Sequence, residues 1–199
     1  FNQYYPEKHD YIIKKEIGYV AEEPLIYKSL TPEELFNFIA SIRELEGEKV
    51  TMRLQEYLDS FDAVQYYKQV IATLSHGNKQ KVQIIAALLH KPKILIMDEP
   101  IIGLDAKSAK VLKEILKIHK ERGGAVIFCT HIMEVAEQLC DRIGIIHKGK
   151  IVAMGTMEEL KARASGDEQT LEKIFLKITE QDASIDQIVS KLRSVEDEE

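Results

Sequence analysis

Tryptophan is absent from the 199 residues, and cysteine occurs twice, as Cys129 and Cys140. Two cysteines cannot build a disulfide framework, and no charged-then-apolar leader opens the sequence, so the expected compartment is a reducing cytoplasm. Apolar runs are short: stretches such as Ile84 to Leu89 fall far below the roughly 18 residues a membrane-spanning helix needs. With 10 glycines and 5 prolines there is neither a collagen-like repeat nor a low-complexity linker. A basic stripe is missing as well. Residues 1–164 carry 23 Lys and Arg against 23 Asp and Glu, and residues 165–199 carry 4 against 10, which places the whole net charge of -6 in an acidic tail. Nucleic-acid affinity comes largely from phosphate neutralisation, so this distribution argues against such a partner. The tail reads as a solvated, poorly ordered end. What is present is 45% hydrophobic and 30% charged residues, enough apolar material for a buried core without covalent staples.

Along the chain, Ile17-Gly18-Tyr19-Val20 suits a short strand, ended by Glu22-Glu23-Pro24. Thr31, Pro32 and Glu34 form a capping box with proline at the first helical position. Leu35, Phe36, Ile39 and Ile42 then recur at helical spacing, and Val50, Leu54, Tyr57, Leu58 and Phe61 give a second helix, so residues 31–73 read as a helical block. A helix from Gly77 through Leu89 precedes Ile94-Leu95-Ile96-Met97, whose unbroken apolar run suits a central parallel strand buried on both faces. A helix through Val111 to His119 leads to a second buried strand, Ala125 to Cys129, which makes a right-handed crossover unit. Ile132 to Leu139 is helical, and Arg142 to Met154 reads as a hairpin around Lys148-Gly149-Lys150. Helical patterns return at Glu159-Leu160, at Leu171 to Ile178 and at Ile185 to Leu192.

Chemistry concentrates at Ile94-Leu95-Ile96-Met97-Asp98-Glu99-Pro100. Two adjacent carboxylates at the carboxyl end of a parallel strand sit where open α/β sheets place ligands. In nucleoside-triphosphate chemistry the first can hold magnesium and the second can polarise an attacking water. About twenty residues earlier, Leu74-Ser75-His76-Gly77-Asn78-Lys79-Gln80-Lys81 opens a helix, whose free N–H groups suit a phosphate. Gly103-Leu104-Asp105 and Thr130-His131 complete an ordered series of four motifs.

In that order the motifs resemble those of the nucleotide-binding subunits of ABC transporters, over essentially the whole chain. The resemblance implies an α/β fold of P-loop NTPase type: a mainly parallel sheet with an inserted helical subdomain, incomplete at its N-terminal side. The implied domains are 1–30, part of the ATPase core with a loop around Glu22; 31–92, the helical subdomain with the signature motif; 93–160, the rest of the core; and 161–199, a helical acidic tail. Asp98 matches the Walker B aspartate that holds magnesium, Glu99 the catalytic base, and His131 the switch histidine that contacts the γ-phosphate. Asp105 matches the aspartate that connects the two sites of a dimer, and Ser75 and Gly77 match signature residues that close on the partner's nucleotide. Glu22 stands where the family has a glutamine that reaches a magnesium-bound water. The cofactors implied are ATP and Mg²⁺. The partners are a second nucleotide-binding subunit, identical or different, and an integral membrane permease, which would hold the chain at the inner face of the membrane. The tail motifs Gly144 to Val152 and Gly155 to Leu160 resemble exporter-type members.

Three residues depart from the family pattern: Glu22 replaces glutamine, His76 a glycine, and Asn78 a glutamine. A histidine side chain at position 76 either hinders closure on the phosphate or, when protonated, contributes a donor to it, and a slower or asymmetric ATPase is expected. The phosphate-binding pattern Gly-x-x-x-x-Gly-Lys-Ser/Thr has one near match, Gly144 to Ile151, which follows a short strand, opens no helix, and reads as a hairpin turn. The family's loop is expected N-terminal of Phe1, which makes the parent protein an ABC-type ATPase and this chain alone inactive. A non-hydrolysing interaction or regulatory module of the same type is the alternative. The cysteines, His9, His90, His119 and His147 read as structural or solvated, with Cys129 in the core.

Overall fold

The computed structural model describes residues 6–164 and 170–179, which divide into two compact units, one through Thr130 and one from His131 onward. The Ile185 to Leu192 pattern and most of the acidic tail lie outside the described residues. No helix among the described residues is long and apolar enough to cross a membrane.

The first unit is built on three parallel strands, β1 (Ile17–Val20), β2 (Ile94–Asp98) and β3 (Ala125–Cys129), in the order β1-β2-β3. Ile17 pairs with Ile94 and Ile94 with Ala125; at the carboxyl end, Val20 pairs with Met97 and Asp98 with Cys129. Helix α1 (Pro6–Glu16), which the periodicity of the sequence does not announce, runs straight into β1. Between β1 and β2 lie α2 (Pro32–Ile42), α3 (Glu48–Ser60), two 3-10 turns at Val64–Tyr66 and Ile71–Thr73, and α4 (His76–Leu88). The expected capping box starts α2: Thr31 Oγ1 accepts from the Glu34 N–H at 3.2 Å, and the Thr31 N–H donates to Glu34 Oε2 at 2.8 Å. Between β2 and β3 runs α5 (Ala106–Glu121).

Helix α4 is the centre of this unit. Gln80 through Ile85 are buried without interruption, so the helix is covered on every face. Val82, Ile84, Ile85, Leu88 and Leu89 supply apolar burial worth about 1.5–3 kcal/mol each. The same enclosure traps Gln80, Lys81 and Gln83, and a buried polar group without a partner costs free energy. Gln83 is satisfied by the loop after β1: its Nε2 donates to Ala21 O and its Oε1 accepts from the Leu25 N–H, both at 2.8 Å. Gln80 Nε2 donates to Pro100 O at 3.4 Å, just after β2.

The sheet differs from expectation on one side. Leu95 and Met97 are buried, but Ile94 and Ile96 are only partly so, and in β3 Ala125, Ile127 and Cys129 are exposed. Tyr19 and Ile127, on the same side of the sheet by their pairing through Ile96, are 53% and 55% exposed. An apolar strand records what can cover it, and among the described residues that face is left largely open. Cys129 is thus a surface rather than a core residue.

The second unit begins with α6 (Met133–Leu139), followed by the antiparallel hairpin β4 (Ile143–His147) and β5 (Lys150–Gly155), then α7 (Met157–Arg163) and α8 (Leu171–Ile178). Lys148 and Gly149, both at positive φ, form the two-residue turn, whose twist matches that of the strands. The stretch that approaches a phosphate-loop pattern is therefore a strand, a tight turn and a strand. Ile143, Ile145, Ala153, Leu160, Leu171 and Ile174 close the core of this unit. A second capping box, Thr156 with Glu159, starts α7.

Replacing Gln83 by Leu leaves Ala21 O and the Leu25 N–H without their partner and should lower unfolding free energy by about 2 kcal/mol in urea titration. His90 gives a pH dependence. Its Nε2 contacts Ile17 O at 3.0 Å, and with a carbonyl as partner this nitrogen carries the proton. Its buried Nδ1 has no hydrogen-bond partner among the described residues. Burial first, then the positive charges of Arg43 and Arg53, against the pull of Ile17 O and Glu16, push the imidazole down to about 4. The unfolded chain binds a proton near pH 6.5 that the folded chain refuses, so stability is full above that pH and falls as pH drops toward 4. A loss of about 1 kcal/mol between pH 7 and pH 5 is expected, reduced in His90→Gln, by unfolding titrations at both pH values.

Candidate functional site

The carboxyl edge of the three-stranded sheet carries three of the residues singled out in the sequence, Glu22, Asp98 and Glu99. Glu22 lies exposed in the loop that Gln83 holds, two residues beyond the end of β1. Asp98 is the last residue of β2 and is half-buried. Glu99 follows in the left-handed region, with φ 44, a conformation that is strained for a residue bearing a Cβ. Its N–H donates to Cys129 O at 2.9 Å, and its carbonyl accepts from the Ile102 N–H at 3.1 Å, so the peptide is tied on both sides. Thr130, the first residue beyond β3, donates its hydroxyl to Glu99 Oε2 at 2.8 Å.

The signature segment meets the next loop. Ser75 caps α4, its Oγ accepting from the Asn78 N–H at 3.3 Å. Gly77 packs so closely on the backbone carbonyl of Gly103 that a Cβ at position 77 would collide with it. Gly103, at φ 79, lies in turn under the His76 ring. Two residues on, Asp105 caps α5: Oδ1 accepts from the Ser108 N–H at 2.9 Å, and Oδ2 from Ser108 Oγ at 2.8 Å and from Lys81 Nζ at 2.7 Å. The Lys81 ammonium and the Ser108 donors hold the Asp105 carboxyl far below the usual carboxylate range. Asp105 thus has a structural role within its own chain, while its side chain stays half exposed. Gln80 and Lys81 end the quoted signature segment without an assigned role, and Gln83 lies beyond it; the signal for all three is a polar side chain inside an apolar helical run.

His131 belongs to the second unit, where it lines a recess of about 290 Å³ with Ile132, Met133, Glu134, Glu137, Thr170 and Glu172. A larger groove of about 420 Å³ opens in the first unit between β1, the loop after it, α2 and α4. Leu25, Tyr27 and Phe38 give it an exposed apolar wall, with the Tyr27 and Phe38 rings edge to face at 5.7 Å. Arg43 and Lys14 line it too, the Arg43 guanidinium donating to Lys14 O and Lys15 O at 3.0 and 3.2 Å.

Among the described residues no three His, Cys, Asp or Glu side chains are arranged to hold a metal ion by themselves. The donor set suits a hard cation that takes one or two carboxylates and completes its shell with substrate phosphates and water, which is how Mg²⁺ binds with nucleotides.

A family model described as ABC transporter matches residues 2–102. The chain is 40% identical over 154 residues to the linearmycin resistance ATP-binding protein LnrL of Bacillus subtilis (strain 168), which covers 77% of this chain and 50% of that protein. It spans about half the length of the curated relatives it matches. Among solved structures, one described as the ATP binding subunit of an ABC transporter superposes with a TM-score of 0.85 at 30% identity, covering 90% of this chain and 75% of the other. The dimeric ATP-binding cassette MJ0796 bound to ADP and Pi shares the fold, with a TM-score of 0.67 at 24% identity over 78% of this chain and 69% of the other. With its motif order, its parallel sheet and its family match over half the sequence, the chain belongs to the ATP-binding subunits of the ABC transporter family.

Proposed function

We propose that the chain forms part of an ATP-hydrolysing subunit that powers export through a separate membrane permease. The observation that carries this reading is the Asp98-Glu99 pair at the carboxyl end of the central parallel strand, with Glu99 restrained by its backbone and by Thr130. Asp98 and Glu22 are the residues that would hold Mg²⁺, which would supply charge neutralisation for the phosphates when bound. Glu99 orients and deprotonates the attacking water, and His131 contacts the terminal phosphate. Ser75 and Gly77, at the start of the 13-residue α4, face the nucleotide of a second subunit, where free N–H groups and the helix dipole favour phosphate oxygens. Asp105 links the paired sites. The subunits work in the cytoplasm against the inner face of the membrane, and the groove of Leu25, Tyr27 and Phe38 receives the permease.

The test uses the chain joined to its coding sequence upstream of Phe1. It should release phosphate from Mg-ATP, and Glu99→Gln should lower kcat by about 10²–10⁴-fold while nucleotide binding persists. A protein that neither binds nor hydrolyses Mg-ATP would instead support the non-hydrolysing, regulatory module. Restoring glycine at His76 should raise turnover; an unchanged rate would remove the proposed hindrance at that position.

A further inference from the structure

We infer that Thr130 is a positioning residue for hydrolysis, acting through Glu99. The inference rests on the reading of Glu99 as the base that handles the attacking water. A glutamate has three side-chain torsions, and a general base works only when its carboxylate stays within hydrogen-bond reach of the water it deprotonates. The main chain of Glu99 is already restrained, by a left-handed φ of 44, by the bond to Cys129 O at 2.9 Å and by the Ile102 N–H at 3.1 Å. Those restraints stop at Cα. The Thr130 hydroxyl, 2.8 Å from Oε2, adds one at the far end of the side chain.

Thr130 suits this role. Asp98 and Cys129 are the last paired residues of β2 and β3, so Glu99 and Thr130 leave the ladder side by side. A β-branched side chain has few χ1 choices, and the strand end fixes its backbone, so the hydroxyl oxygen is held in a defined place from which it donates. Its partner is a carboxylate, which makes the bond charge-assisted and stronger than one between neutral groups. A carboxylate offers about four lone-pair sites, and a single hydroxyl donor occupies one of them.

The experiment measures steady-state ATP hydrolysis by the same extended protein, comparing Thr130→Val, Thr130→Ala and Thr130→Ser with the parent. Val and Ala should lower kcat about tenfold or more with KM for ATP within about twofold, and Ser should restore kcat to within about threefold. In a Glu99→Gln background, Thr130→Val should have no further effect on residual turnover, which separates action through Glu99 from general weakening of the strand end. Parental kcat in Val and Ala, Ser as impaired as Val, or an equal loss in the Glu99→Gln background would each overturn the positioning role. If Val does not fold, the Ala and Ser pair decides the same question. Absence of hydrolysis in the parent overturns the ATPase reading itself, and this inference with it.

Discussion

Enclosing α4 on all sides is the constraint from which the rest of the first unit follows. A helix that buries six consecutive residues cannot turn its polar side chains to water. Gln80, Lys81 and Gln83 must therefore find partners inside, and they find them in the loops that leave the carboxyl edge of the sheet. Gln83 replaces water for Ala21 O and the Leu25 N–H, Gln80 for Pro100 O, and Lys81 ends on Asp105. The apolar residues of the helix provide most of the stabilisation. The polar ones help hold the loops where they lie, because a buried donor left unpaired costs about 1–3 kcal/mol.

The loops held in this way carry Glu22, Glu99 and Asp105, three of the residues on which the proposed chemistry depends. Gln83 reaches the Glu22 loop, and Gln80 lies within 3.4 Å of that same side chain, so the two amides form a short polar link across one face of α4. The opening turn of the helix is fixed differently, by backbone contact: Gly77 against the Gly103 carbonyl, with the His76 ring over Gly103. The His76 departure from the family pattern thus has a local function, filling the space that the glycine at 103 leaves. The same ring stands at the helix start, where a phosphate would approach under the proposed reading.

Much of this was legible in the residues. Thr31, Pro32 and Glu34 announce the start of α2 because capping is local chemistry, settled within four residues. The apolar run Ile94 to Met97 announces the central strand, and Lys148-Gly149 announces the hairpin turn, for the same reason. The open face of β3 was not legible, because an apolar strand has the same composition whether or not a given partner is present to cover it. Helix α1 was missed because its mixed charged and aromatic sequence has a weak period. The bonds of Gln83 to Ala21 and Leu25 span about sixty positions, and that of Thr130 to Glu99 spans 31. A sequence shows that such side chains are polar and inconveniently placed, but which groups relieve them is decided by the three-dimensional packing.

The strained residue shows why the arrangement holds. A glutamate in the left-handed region costs on the order of 1–3 kcal/mol, and such a conformation persists only where the surroundings over-determine it. Around Glu99 the restraints come from both chain directions. Asp98 before it is locked in the ladder to Cys129, and Pro100 after it disfavours the right-handed helical alternative while its carbonyl is held by Gln80. The Glu99 N–H and C=O are both bonded, and the carboxylate meets Thr130. Relaxing φ would break the bond to Cys129 or swing the carboxylate away from the hydroxyl, and an unpaired group costs about 1–3 kcal/mol, comparable with the strain returned. Gln80 of the enclosed helix holds the residue after Glu99 and the Thr130 hydroxyl holds its carboxylate, so α4 and the end of β3 together support a carboxylate at the sheet edge in a conformation it would not adopt alone.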